Sequence, residues 1–245
     1  MKIEIHSDAA QATAAAAEHL ACCLTEPGAR TLMVAGGNSP LQLYQAIAER
    51  RLSLTHLHIF ALDEYVGVPA SEPRTTANLL RRVVAEAWSI PAPQYHAVSS
   101  EEREALASVQ PHERKLAALG GLDVLVLGLG VNCHLGFNEP GSAPDSVGRI
   151  VDLEATSTEA NRAWFNGDYA PARGVTVGLK TILAARKILI LAYGKSKAVP
   201  AQRMIEGPQG VVCPAAWLQS HPDTRAYLDE AAARLLSARG ASHSE

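Results

Sequence analysis

Cysteine is scarce in this 245-residue chain. Of the four present, Cys22 and Cys23 are adjacent in an Ala-rich helical pattern, and Cys133 and Cys213 lie far apart. No disulfide framework can be drawn from that spacing, and a reducing, cytoplasmic setting is expected. No apolar run approaches the ~18 residues of a spanning helix, and the opening MKIEIHSD reads as an alternating strand rather than the apolar core of a signal peptide. Neither export nor membrane insertion is expected. No sign of charge dominates: 22 Lys and Arg against 25 Asp and Glu give a net charge of −3. The basic residues are scattered, so no nucleic-acid footprint is expected and any bound anion must be held locally. The histidines are dispersed, without a helical H-E-x-x-H or a Cys/His cluster, so no metal is expected.

What is present is ordinary for a folded enzyme-sized domain, with 47% apolar and 19% charged residues. A single domain over 1–245 is expected, because no repeat or linker interrupts the pattern. Strand-like segments at Lys2 to His6, Thr31 to Ala35, Leu57 to Leu62, Leu122 to Leu129, Gly174 to Leu179, Lys187 to Tyr193 and Arg225 to Leu228 alternate with helix-like ones. The helices are expected at Ala9 to Leu24, capped by Ser7 or Asp8, from Pro40 through Arg51, and at Thr75 to Trp88, Glu101 to Leu119 and Lys195 to Glu206. This alternation predicts an α/β fold with a mostly parallel sheet covered by helices on both faces. LDVLVLGL, the most apolar strand, belongs at its centre. Gly240 to Glu245 reads as a loose tail.

Open parallel sheets bind ligands beyond the carboxyl ends of their strands, and three chemically loaded loops follow strands here. Gly36-Gly37-Asn38-Ser39-Pro40 lacks both the lysine of a P-loop and dinucleotide spacing. Its glycines, the Ser39 hydroxyl and the following helix N-terminus suit an anion such as phosphate, although a tight turn alone would also use them. Lys197, just past KILILAY, is placed to neutralise such an anion. Asp63 and Glu64 end another strand, where a partly desolvated carboxylate can remove a proton from carbon next to a carbonyl; Asp63 is the candidate base. In Asn132-Cys133-His134-Leu135-Gly136-Phe137-Asn138-Glu139-Pro140, a histidine oriented by an amide and a carboxylate can carry a proton to or from a ring oxygen.

Ala61-Leu62-Asp63-Glu64-Tyr65-Val66-Gly67 and Asn132 to Gly141 closely resemble the two signature segments of glucosamine-6-phosphate deaminases, and the likeness extends in order through the Gly-Gly turn, GVTVGL and Gly194 to Lys197. The resemblance implies a Rossmann-like three-layer α/β/α fold and no metal or organic cofactor. It implies isomerisation of a phosphorylated amino sugar with loss of ammonia, giving fructose 6-phosphate. His134 would open the ring, Asp63 would remove the C2 proton, and Asn132 and Glu139 would support His134. Gly36, Gly37, Asn38, Ser39, Glu64 and Lys197 would hold the substrate. Three positions depart from the pattern: Asn132 where many members carry Asp, Cys133 where Gly is usual, and Ala163 where a phosphate-binding Arg is usual. Arg162 and Arg173 are the alternative anion ligands, and a thiol at position 133 is expected to crowd the loop or stand beside the substrate.

The nearest rivals are a galactosamine-6-phosphate deaminase/isomerase, a 6-phosphogluconolactonase and a sugar-phosphate-binding effector protein without turnover. Tyr65 and Phe137 to Pro140 argue against the lactonase, and no helix-turn-helix can be placed upstream for a regulator. A monomer or small homo-oligomer is the expected assembly.

Overall fold

The computed structural model describes residues 1–237. In chain order the elements are β1 (Lys2–His6), α1 (Ala9–Thr25), β2 (Thr31–Val34), α2 (Asn38–Glu49), β3 (His58–Ala61), β4 (Asp63–Tyr65), α3 (Thr76–Leu80), β5 (Tyr95–His96), α4 (Glu102–Ala118), β6 (Val124–Gly128), β7 (Arg149–Asp152), α5 (Ala155–Trp164), β8 (Arg173–Thr176), α6 (Leu179–Leu183), β9 (Lys187–Ala192), α7 (Ala198–Glu206), β10 (Thr224–Asp229) and α8 (Glu230–Ala233). The expected tail at Gly240 to Glu245 lies outside the described residues.

Seven strands form one parallel sheet in the order β1-β10-β9-β6-β2-β3-β5. Side chains alternate across a strand, so each apolar run feeds two cores. Met33, Leu125, Leu127, Ile188 and Ile190 pack with α6 and α7 on one face. Leu32, Val34, Val124, Val126, Leu189 and Leu191 pack with α1 and α2 on the other. That is the predicted three-layer α/β arrangement. Asp8 caps α1 by accepting the Gln11 N–H at 2.8 Å, which selects between the two expected caps.

Two expectations need correction. GVTVGL does not join the large sheet: β8 pairs antiparallel with β4 and β7 in a separate three-stranded sheet. The reason lies at Leu62, whose N–H still bonds Val34 O while its carbonyl accepts from Val177 N. The chain changes sheets at Asp63. The single helix expected from Thr75 to Trp88 ends at Leu80 and continues as a π-helical stretch over Arg81–Glu86, a local change of winding that a 3.6-residue pattern does not register.

After β2 the chain builds outward to β3 and β5, then returns to the other side of β2 with β6. This reversal puts a crevice beyond the carboxyl ends of β2 and β6, where the loops at Gly36 and Gly130 begin.

Candidate active site

The crevice is a cavity of about 310 Å³ lined by residues from all the expected loops. At one part of it, β2 turns through Gly36 and Gly37 into α2. Gly37 takes φ +100°, a region that favours glycine, and no side chain caps the helix that follows. The first amides of α2 are therefore free of side-chain caps, with Asn38 and Ser39 lining the cavity beside them. Lys197 also lines it. The 3₁₀ turn Lys195–Lys197 carries it there, and its Nζ donates to Leu129 O at 2.7 Å. An ammonium has three donors, so two remain for an anion. Burial lowers the Lys197 pKa, which marks a charge with little water around it.

Asp63 and Glu64, neighbours on β4, have separate tasks because a strand points them to opposite faces. Asp63 is 6% exposed and lines the cavity. Burial, and then the charge of Glu64, push its carboxyl up to about 7. Glu64 does not line the cavity, contrary to its expected part in substrate binding. Its carboxylate accepts the backbone N–H groups of Tyr65, Thr76 and Ala77 at 2.7, 3.0 and 2.7 Å, and so fixes the start of α3. Burial pushes its pKa up to about 7 against those three donors. Glu64→Ala strands the three N–H groups, and urea unfolding at pH 7 is expected to show a loss of about 2–4 kcal/mol.

His134 lines the cavity from the loop after β6. Its Nδ1 lies 3.6 Å from Glu139 Oε2 and 3.5 Å from Ser157 Oγ, and its backbone N–H donates to Asn132 Oδ1 at 3.3 Å. Asn132 also donates through Nδ2 to Glu139. Glu139 is 3% exposed. Burial opposes its charge, but the imidazole of His134, the Ser157 hydroxyl and the Asn132 amide around it outweigh this and hold its carboxyl below the usual range. Gly130 makes room for the ring: a Cβ there would stand 2.4 Å from His134 Cδ2. Asn132 and Glu139 support His134 from behind rather than lining the cavity. Arg149 fixes the same loop by donating to Asn138 Oδ1 and Ser142 Oγ at 2.9 and 2.7 Å.

Neither expected arginine reaches the cavity. Arg162 points from α5 into solvent, 56% exposed and 3.7 Å from Glu159; Arg173 pairs with Glu102 outside it. The guanidinium that does line the cavity is Arg74, which the sequence reading missed. It is held by Glu72 and Asp168 at 2.6 and 2.8 Å and by Phe165 O at 2.8 Å, so its charge is already balanced. Thr76, Ser157, Asn161 and Trp164 line the cavity as well. Among the described residues no group of three or more His, Cys, Asp or Glu side chains is placed to hold a metal ion.

A family model described as glucosamine-6-phosphate isomerases/6-phosphogluconolactonase matches residues 6–227. The chain belongs to that family. A glucosamine-6-phosphate deaminase of Cutibacterium acnes is 36% identical over 242 residues, covering 97% of this chain and 93% of that protein. One of Rhodopirellula baltica is 36% identical over 244 residues, covering 98% and 97%. The solved structure of a monomeric glucosamine-6-phosphate deaminase superposes with a TM-score of 0.91 at 28% identity, covering 96% of this chain and all of that one. A 6-phosphogluconolactonase of Trypanosoma brucei, at a TM-score of 0.79 and 20% identity over 96% and 98% of the two chains, shares the fold.

Cys133 has φ +73°, a conformation that favours glycine and strains a residue with a Cβ. Of the two expected outcomes, a crowded loop or a thiol beside the substrate, the second does not occur: the thiol is fully buried with Sγ 3.9 Å from Pro200 O and does not line the cavity. The loop accommodates the sulfur on its core side, while Ala215 N donates to Cys133 O at 3.1 Å and pins the backbone.

Proposed function

We propose that this protein is a glucosamine-6-phosphate deaminase. The observation that carries the reading is one cavity lined by an anion-binding turn with Lys197, by a buried carboxylate whose pKa is raised to about 7, and by an imidazole backed by a carboxylate. A phosphate would sit at the α2 N-terminus between Gly37, Asn38, Ser39 and Lys197. His134, oriented by Glu139, would move a proton at the ring oxygen and open the sugar. Asp63 would then take the C2 proton, giving an enolamine that is protonated at C1. Water adds at C2 and ammonia leaves, so the products are fructose 6-phosphate and ammonia. A carboxyl near 7 suits this step, because proton transfer is most effective when the base titrates near the working pH.

Hydrolysis of a lactone requires no base at C2, and Asp63 in its buried position would then have no task. Incubation with glucosamine, galactosamine and gluconolactone 6-phosphates distinguishes the readings. Ammonia and fructose 6-phosphate from the first are expected; turnover of the lactone alone would reject the proposal. Lys197→Met is expected to raise KM for the phosphorylated sugar about 10- to 100-fold, as for loss of a charged hydrogen bond, with kcat changed only a few-fold. An unchanged KM would leave the phosphate to the turn and helix alone.

A further inference from the structure

Glu154 immediately precedes α5, where a side chain ordinarily caps the first helical amides, yet it makes no such bond. Its carboxylate turns to Asn132, whose Nδ2 donates to Glu154 Oε2 at 2.7 Å as well as to Glu139 Oε2. Asn132 Oδ1 meanwhile accepts the backbone N–H of His134. All three contacts demand the same amide orientation, since a flipped amide would aim its oxygen at two carboxylates. Each hydrogen of one NH₂ group thus has its own carboxylate, and the amide plane is fixed from both sides.

The bond to Glu139 has a particular weight. Glu139 Oε1 is buried without a hydrogen-bond partner among the described residues, so Oε2 carries the support of this carboxylate. Losing the Asn132 donor would leave it short of donors in a buried place. Ser157, one turn into α5, approaches His134 Nδ1 from the same helix. The start of α5 therefore braces the group that the proposed reaction uses to move a proton, and Ala160, Asn161 and Trp164 of the same helix line the cavity.

We infer that Glu154 is a positioning residue: by holding the Asn132 amide it keeps Glu139 aligned on His134, and it ties α5 to the acid–base group. This rests on the reading of His134 as the proton carrier. Glu154 is exposed, so water screens its charge and orientation is what it supplies. A glutamine, whose side-chain oxygen accepts the same N–H, should therefore serve, whereas alanine should not.

The test compares Glu154→Ala and Glu154→Gln by kcat, KM, melting temperature and the imidazole ¹⁵N spectrum of His134 in the protein without substrate. For Glu154→Ala, kcat is expected to fall about tenfold, with KM and melting temperature close to the parent and the His134 Nδ1 signal shifted or broadened. Glu154→Gln is expected to restore both kcat and the spectrum. A parental spectrum in Glu154→Ala overturns the inference whatever happens to kcat, and so does a loss in Glu154→Gln equal to that in alanine. If the unaltered protein does not turn over glucosamine 6-phosphate, the proposed function fails while the spectrum still decides the role of Glu154.

Discussion

Asp63→Asn is expected to lose activity and gain stability together. Removing a general base costs roughly 10²- to 10⁴-fold in rate, so kcat should fall in that range and exchange of the C2 proton with solvent should stop. Binding of inorganic phosphate should survive, because the turn and Lys197 are untouched. The stability gain follows from the direction of the pKa shift. The folded carboxyl is raised from 3.8 to about 7, first by burial and then by Glu64. A group raised on folding favours the folded state at low pH, and that contribution disappears as pH rises from about 4 to about 7. Above pH 7 the fold carries the whole cost of a buried carboxylate, up to about 4 kcal/mol at 1.36 kcal/mol per pH unit. Asparagine does not ionise. The melting temperature of Asp63→Asn should exceed that of the parent at pH 8, with the gap closing toward pH 4, while activity of the parent should rise with pH through about 7. A variant that melts lower than the parent at pH 8 would contradict this account.

Gly130→Ala should cost nearly as much from a single methyl group. The added Cβ would stand 2.4, 2.5 and 2.6 Å from Cδ2, Cγ and Nε2 of His134, inside any tolerated contact and at the root of the ring. Gly130 is not among the glycines at positive φ, so the backbone accepts alanine and the ring must yield. Swinging it breaks the approach to Glu139, and a displacement near 1 Å can cost about 10²-fold in turnover. A fall in kcat of that size is expected, with an unchanged circular-dichroism spectrum and little change in phosphate binding. A kcat within threefold of the parent would show that His134 works equally well elsewhere in the cavity.

The large sheet was legible because β2, β6 and β9 are uninterrupted apolar runs bounded by turns, a pattern that a doubly covered parallel strand demands. The small sheet was not. β4 and β7 are three and four residues long, and their pairing with β8 is set by contacts about a hundred residues or a few tens apart in the chain rather than by local pattern. Asp63, His134, Lys197 and the Gly36 to Ser39 turn could be read because each follows a strand end. Glu64 was misplaced because two adjacent acids on a strand share a motif but face opposite ways. Arg162 is next in sequence to position 163, yet on a helix one residue turns the side chain by about 100°. Arg74, in the polar run Glu72 to Thr75, gave no local signal, since what brings it to the cavity is α5 packing across from another part of the chain through Phe165 and the Trp164 Nε1 bond to Arg74 O.

The change of sheet at Leu62 sets the base on a boundary between two kinds of material. Upstream, β3 belongs to a sheet with extensive packing on both faces, whereas the buried apolar cluster beneath the small sheet consists of Val66, Val98, Ala105, Val109 and Val175. Units with little buried apolar surface open locally at lower free energy than the core they adjoin. Amide hydrogens of β8 should accordingly exchange with deuterium sooner than those of β6, and the small sheet of β4, β8 and β7 should breathe while β2, β3 and β6 stay shut. Asp63, the first residue of β4, directly follows Leu62, whose N–H is bonded to Val34 O of the large sheet, so the carboxylate stands where the part able to loosen joins the part that stays shut.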